Sequence, residues 1–205
     1  YVHGASDVPL RYQTIGEALD EAAAKWPANE ALVSCHQNVR WTYAELKTRA
    51  DEFAAGLIAL GLQPGERIGI WSPNCAEWAL TQFATAKAGL ILVNINPAYR
   101  LSELEYALNK VGCRALVTAA IFKSSNYLEM LRTLAPELAD AAPGKLKAAK
   151  LPQLEIVIRL GTARTAGMMN FDDVTAAATP AAREAVAALK GQLQPDDAIN
   201  IQFTS

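Results

Sequence analysis

Residues 67–97 read RIGIWSPNCAEWALTQFATAKAGLILVNINP. Arg67 to Trp71 is a short apolar run with strand character, and Ser72-Pro73-Asn74 turns it. Asn74-Cys75-Ala76-Glu77 opens a helix that continues to about Ala88 and closes at Gly89. Leu90 to Ile95 is a second strand, rich in branched residues and apolar on both faces, and Asn96-Pro97 carries the chain off it. Two strands joined through one helix pair in parallel, since only a parallel return needs such a crossover. A strand apolar on both faces needs cover on both. The stretch predicts an α/β fold, a largely parallel sheet flanked by helices.

The same rhythm extends outward. Downstream, Ser102-Glu103-Leu104-Glu105 caps a helix ending at Gly112, and Ala115 to Thr118 is a strand. Ile121 to Leu134 predicts a helix, and Ala139 to Lys150, rich in Ala, Pro, Gly and Lys, predicts a surface excursion. Ile156 to Leu160 is a strand and Gly161 to Gly167 a loop. Thr179-Pro180 pairs a cap with Pro at the first helical position, for a helix to about Lys190. Ile199 to Phe203 is the last strand. Upstream, Thr14-Ile15-Gly16-Glu17 and Thr42-Tyr43-Ala44-Glu45 are capping boxes, in which hydroxyl and carboxylate each satisfy an orphan N–H. The first starts a helix with Ile15, Leu19, Ala22, Ala23 and Trp26 on one side; Pro27 ends it. The second starts a helix striped with Leu46, Ala50, Phe53, Ala54, Leu57, Ile58 and Leu60. Between them lie strands at Glu30 to Cys35 and Val39 to Trp41, joined at His36-Gln37-Asn38.

With 205 residues and 51% apolar content the chain can bury a substantial core. A net charge of −2 gives no basic field for nucleic acid, and no apolar stretch approaches the roughly 20 residues of a membrane span. Cys35, Cys75 and Cys113 are scattered and odd in number, so they predict buried free thiols in a reducing, cytoplasmic setting and no metal site. The chain lacks a G-x-G-x-x-G after its first strand, a complete Walker loop, a G-x-S-x-G elbow and H-E-x-x-H. Each turn and cap above is first of all structural, because every α/β protein needs them.

Ile199 to Phe203 runs into Thr204-Ser205, and ligands of parallel sheets bind just beyond strand carboxyl ends. The first residue is Tyr1. These ends create the expectation of an amino-terminal piece of a larger enzyme, interrupted where a phosphate-holding loop begins.

Taken in order, Trp41-Thr42-Tyr43-Ala44-Glu45-Leu46, Trp71-Ser72-Pro73-Asn74 with Glu77-Trp78, Lys87-Ala88-Gly89 through Asn94-Ile95-Asn96-Pro97-Ala98-Tyr99-Arg100, and the Gln-Phe-Thr-Ser ending resemble the amino-terminal half of the acyl-adenylate-forming superfamily. Within it, the Tyr-Val-His-Gly start and the Val93 to Pro97 run are similar to fatty-acyl-CoA synthetases of the family-member-2 type. The resemblance implies a parent that joins a fatty acid to CoA with ATP and Mg2+, through an acyl-adenylate. It implies that Thr204 and Ser205 open the loop that wraps the ATP phosphates, where small residues let backbone N–H groups approach oxygen. The catalytic equipment and any metal ligand would lie downstream, so no catalytic residue is expected here and the piece alone is expected to be inactive.

Arg100 and Lys123 follow strands on the sheet's carboxyl edge, where the family places its CoA nucleotide. They are assigned to CoA phosphate contacts, with solvated surface charge as the ordinary alternative. The resemblance also divides the chain: residues 1–65 join a second sheet, and 66–205 build the first. The helix from Tyr43 would then lack part of its cover, which predicts self-association or weak order before Pro64. Two alternatives stay within the superfamily, a carrier-protein-loading adenylation domain and a luciferase-like enzyme. A third is a non-catalytic flavodoxin-like binding module.

Overall fold

The computed structural model describes Gly4, residues 7–9 and residues 11–203. Ten strands and seven α-helices alternate along them. The strands are β1 (Glu30–Ser34), β2 (Val39–Thr42), β3 (Arg67–Trp71), β4 (Ile91–Asn94), β5 (Cys113–Thr118), β6 (Ile121–Phe122), β7 (Ser125–Asn126), β8 (Ile156–Arg159), β9 (Met169–Asn170) and β10 (Asn200–Gln202). The helices are α1 (Ile15–Lys25), α2 (Tyr43–Ala59), α3 (Ala76–Lys87), α4 (Leu101–Val111), α5 (Tyr127–Leu134), α6 (Phe171–Ala176) and α7 (Pro180–Leu189).

Six strands form one sheet in the order β10-β4-β3-β5-β8-β9, and every pairing in it is parallel. Successive side chains of a strand point to opposite faces, and here each face has its own helices. Ile68, Ile70, Leu92, Ala115, Val117, Ile156 and Ile158 pack under α1, α2, α3 and α6. Trp71, Val93, Leu116 and Val157 pack under α4 and α5. The chain leaves β3 toward β4 on one side, then returns to place β5 on the other. The order therefore reverses between β3 and β5, and their carboxyl ends flank the crevice where sheets of this kind bind ligands.

Both capping boxes form: the Thr14 and Thr42 hydroxyls accept from the N–H groups of Glu17 and Glu45, whose carboxylates take N–H bonds in return. The cap of α3 comes from farther away. Gln37, in the turn between β1 and β2, accepts the Ala76 N–H at 2.7 Å through its amide oxygen.

Several expectations need correction. Residues 121–126 form the β6–β7 hairpin, with Lys123 at φ +52, so the helix expected from Ile121 begins only at Tyr127. The stretch expected to be a surface excursion alternates: Lys145 and Lys147 face outward while Leu146 and Ala148 are buried with Leu151 and Leu154 under the second face. On α1, Ile15 and Trp26 are exposed, and only Leu19 and Ala23 of the expected stripe are buried. Cys35 is exposed, Cys75 half-buried and Cys113 buried. Residues 169–176 add β9 and α6, which the sequence did not announce.

The apolar stripe of α2 is not left bare. Leu46, Ala50, Phe53, Ala54 and Leu57 are buried against α3, α6 and α7, and Phe53 stacks on Phe171 with ring centroids 4.2 Å apart. The physical reason for expecting self-association through that face is thereby removed. One charged cluster joins the helices of this layer. Lys87, 8% exposed, donates to Asp20 at 2.5 Å and Asp51 at 2.6 Å; Lys47 pairs with Asp51 and Lys190 with Asp20. Burial opposes the charge of Asp20, but Lys190 and Lys87 outweigh it and hold its carboxyl below the usual range.

Candidate functional site

The carboxyl edge of the sheet is built from strand ends. Trp71 ends β3, Asn94 ends β4, Thr118 ends β5 and Gln202 ends β10. The last strand is parallel, as expected, but it lies at the sheet's edge among the described residues. Asn200 and Ile201 are half-buried and Gln202 is exposed, so this strand is not buried. Thr204 and Ser205, the expected phosphate contacts, lie outside the described residues.

Arg100 stands one residue before α4. Its backbone N–H donates to Glu103 Oε2 at 3.0 Å. Glu103's own backbone N–H and that of Arg100 hold the Glu103 carboxyl below its ordinary value. The Arg100 side chain is exposed and has no hydrogen bond or ion pair among the described residues. Lys123 occupies the tip of the β6–β7 hairpin, exposed, with its ammonium 5.3 Å from the Phe122 ring centroid. Both cations therefore stand past strand ends on the ligand edge; neither forms an ion pair among the described residues, although the Glu103 carboxylate lies near enough to feel the charge of Arg100. They do not touch each other.

Two buried aromatic residues lie under this edge, and nothing in the sequence pairs them. Trp71 and Tyr127 are both fully buried and stack with centroids 3.6 Å apart at 9°. Trp71 Nε1 donates to Asn96 O at 3.2 Å, and Tyr127 Oη donates to Pro97 O at 2.5 Å. Burial pushes the Tyr127 hydroxyl up to about 12, against the opposing charge of Arg100, so the phenol stays a donor. Asn96 Oδ1 accepts from the Ala98 N–H at 2.9 Å and closes the turn. Cys75, on the loop after β3, is unsuited to attack: burial raises its pKa, and no cation is among the causes that act on it.

No group of three or more His, Cys, Asp or Glu side chains among the described residues is arranged to hold a metal. A cavity of about 330 Å³ lies at the other end of the sheet, between α1, α2, α3 and α7. Of its acids, Asp20, Asp51 and Glu52 are each paired with Lys or Arg, and Glu17 is taken up by the cap of α1. No described helix is long and apolar enough to cross a membrane.

Against known proteins, the AMP-binding enzyme family matches residues 19–205. The chain is 45% identical over 208 residues to the medium-chain acyl-CoA ligase ACSF2, mitochondrial, of Rattus norvegicus, covering 100% of this chain and 33% of that protein. It is 35% identical over 196 residues to the putative acyl-CoA synthetase YngI of Bacillus subtilis, covering 96% and 36% respectively. Among solved structures, the long-chain-fatty-acid-CoA ligase FadD1 of Archaeoglobus fulgidus superposes with a TM-score of 0.72 at 18% identity, over 100% of this chain and 37% of that one. The chain spans about a third of the length of the curated relatives it matches.

Proposed function

The chain belongs to the AMP-binding enzyme family, and on that premise we propose that it forms the amino-terminal part of an ATP-dependent acyl-CoA ligase. The substrate class proposed is the medium-chain fatty acids, after the ACSF2 relatives. A carboxylate oxygen attacks the α-phosphorus of ATP, and the bond to pyrophosphate breaks. The CoA sulfur then attacks the acyl carbon, its proton is lost, and AMP leaves. The first step makes a good leaving group of a poor one, and the protein's part is positioning and charge neutralisation.

In this reading β10 delivers Thr204 and Ser205 to the triphosphate, while Arg100 and Lys123 meet the phosphates of the CoA nucleotide. Mg2+ would offset triphosphate charge, and no described residue is assigned to hold it. The observation that carries the proposal is the family match over 19–205, joined to a parallel sheet whose last strand ends on the ligand edge. We keep the division near residue 65 as part of the proposal. It is supported by the β1–β2 ribbon, which is a sheet of its own. The cytoplasm is proposed as the compartment from three unpaired thiols, against the mitochondrial label of the ACSF2 relatives; cell fractionation decides between them.

The strand order β4-β3-β5-β8-β9 is also that of flavodoxin-like binding modules. That alternative shares the fold but not the family match. ATP–pyrophosphate exchange by the full-length enzyme tests the choice across fatty acids of rising length. Exchange that peaks with medium chains is expected, with none from residues 1–205 alone. Absence of exchange with every fatty acid would overturn the ligase reading.

A further inference from the structure

We propose that Tyr127 is a strut between the two cation-bearing loops, fixing their spacing so that Arg100 and Lys123 engage a multiply phosphorylated nucleotide as one unit. The inference rests on the reading of this edge as the CoA site.

Tyr127 touches both loops. Its backbone N–H donates to Ala120 O at 3.0 Å and so closes the root of the β6–β7 hairpin. Its hydroxyl donates to Pro97 O at 2.5 Å in the loop that ends at Arg100. Among the described residues this is the only hydrogen bond or ion pair joining residues 95–100 to residues 119–127. A buried hydroxyl left without a partner is strongly disfavoured, so the Pro97 carbonyl is held where the phenol can reach it. Trp71 reinforces the position from below: it stacks on the Tyr127 ring and donates to the preceding carbonyl, Asn96 O. Two rigid, fully buried rings thus grip two consecutive carbonyls.

Both loops need this support. The hairpin has only two residues per strand, too few to hold its shape alone. The 95–100 segment leaves the sheet after the backbone bond from Ile95 N–H to Ile70 O at 3.1 Å. A nucleotide carrying a 3′-phosphate and a 5′-pyrophosphate presents charges at fixed separation, and binding is strongest when the cations are already set to match. Loops free to move independently would lose that match while each kept its charge.

The test uses the full-length enzyme. Tyr127→Phe removes one oxygen and keeps the ring. The expected result is a rise of about tenfold in the KM for CoA, with kcat, the KM for ATP and the rate of ATP–pyrophosphate exchange unchanged. Trp71→Phe, which loses the bond to Asn96 O, moves the CoA KM in the same direction and serves if Tyr127→Phe does not fold. Arg100→Ala and Lys123→Ala supply the decisive comparison. In the otherwise unchanged enzyme their combined effect on CoA affinity is smaller than the product of the single effects; in the Tyr127→Phe background the effects multiply. If Arg100→Ala raises the CoA KM but Tyr127→Phe and Trp71→Phe do not, the strut is refuted and the site stands. A rise in the ATP and CoA values together refutes it as well, since that marks a general structural role. If neither Arg100→Ala nor Lys123→Ala changes the CoA KM, the reading of the edge fails, and the strut with it.

Discussion

Gln82 and Asn200, on α3 and β10, exchange two amide hydrogen bonds: Gln82 Nε2 to Asn200 Oδ1 at 3.0 Å, and Asn200 Nδ2 to Gln82 Oε1 at 3.1 Å. The pair matters because β10 has little else to fix it. It is three residues long, pairs with β4 alone among the described residues, and is half-exposed. A slip of one residue would turn Asn200 to the opposite face and leave Gln82 unpartnered. Gln82→Ala and Asn200→Ala are each expected to cost about 1 kcal/mol. Native-state hydrogen exchange should show the amides of residues 200–203 losing protection while those of β3 keep theirs.

Gly56 sits inside α2, where helix propensity alone would favour alanine. A Cβ there would stand 2.0 Å from the carbonyl oxygen of Val174 on α6. Gly56→Ala should therefore destabilise by about 3 kcal/mol, the upper end of over-packing, despite a propensity gain of about 1 kcal/mol. A urea unfolding midpoint measures it. Gly191, with open space around its Cβ position, is the control and should show no loss on Gly191→Ala.

The lysines of the Asp20–Asp51 cluster should differ sharply. Lys87 is 8% exposed at its side chain and bonds both carboxylates, whereas Lys47 is 39% exposed. Lys87→Met is expected to cost about 2 kcal/mol, because it leaves two half-buried acids each one charged partner short. Lys47→Met should cost under about 1 kcal/mol, as surface pairs do. Equal losses from chemical denaturation would refute the burial argument.

Burial raises two weak acids, the Cys113 thiol and the Tyr127 phenol, each to about 12 from ordinary values of 9.0 and 10.0. Below the ordinary values both states hold the protons and the contribution to stability is complete. Between the ordinary and raised values the unfolded chain releases protons that the folded chain keeps, so stability falls with rising pH. Thermal unfolding should show a decline in Tm that begins near pH 9 and continues toward pH 12. Cys113→Ala should shift the onset upward, toward the range set by Tyr127.

Features governed by near neighbours were legible in the sequence. Thr14 with Glu17 and Thr42 with Glu45 satisfy one another within a single turn, so three residues of spacing are enough to recognise them. The parallel strands were legible because branched residues recur between helices of similar length. Contacts across the fold were not. Ile121 to Leu134 has apolar residues at both ends, yet its first part turns back at Lys123, and the pairing of Ile121 with Asn126 reveals it. The Lys-rich stretch at 145–150 hides an alternation that becomes visible once Leu146 and Ala148 are seen packed inward. The cap of α3 comes from Gln37, which no local pattern could supply.

The candidate site divides in the same way. Arg100 and Lys123 could be placed on the ligand edge because each follows a strand. Trp71 and Tyr127 are 56 positions apart in contact terms, an aromatic strand end and a helix start, and neither type is unusual there. A buried tyrosine after a strand that carries a polar turn is the only signal that would have suggested looking.

The ammonium of Lys87 reaches back to Asp20 and Asp51, and Asp20 in turn reaches forward to Lys190. These partners lie far apart in sequence, Asp20 and Lys190 by 170 positions. The helical layer can therefore close only after its last segment has left the ribosome and returned across the sheet. Such distant closures slow the search for the native state. Until then the incomplete layer shows its greasy side to the cell, and chaperone demand during synthesis should peak just before residue 190 emerges.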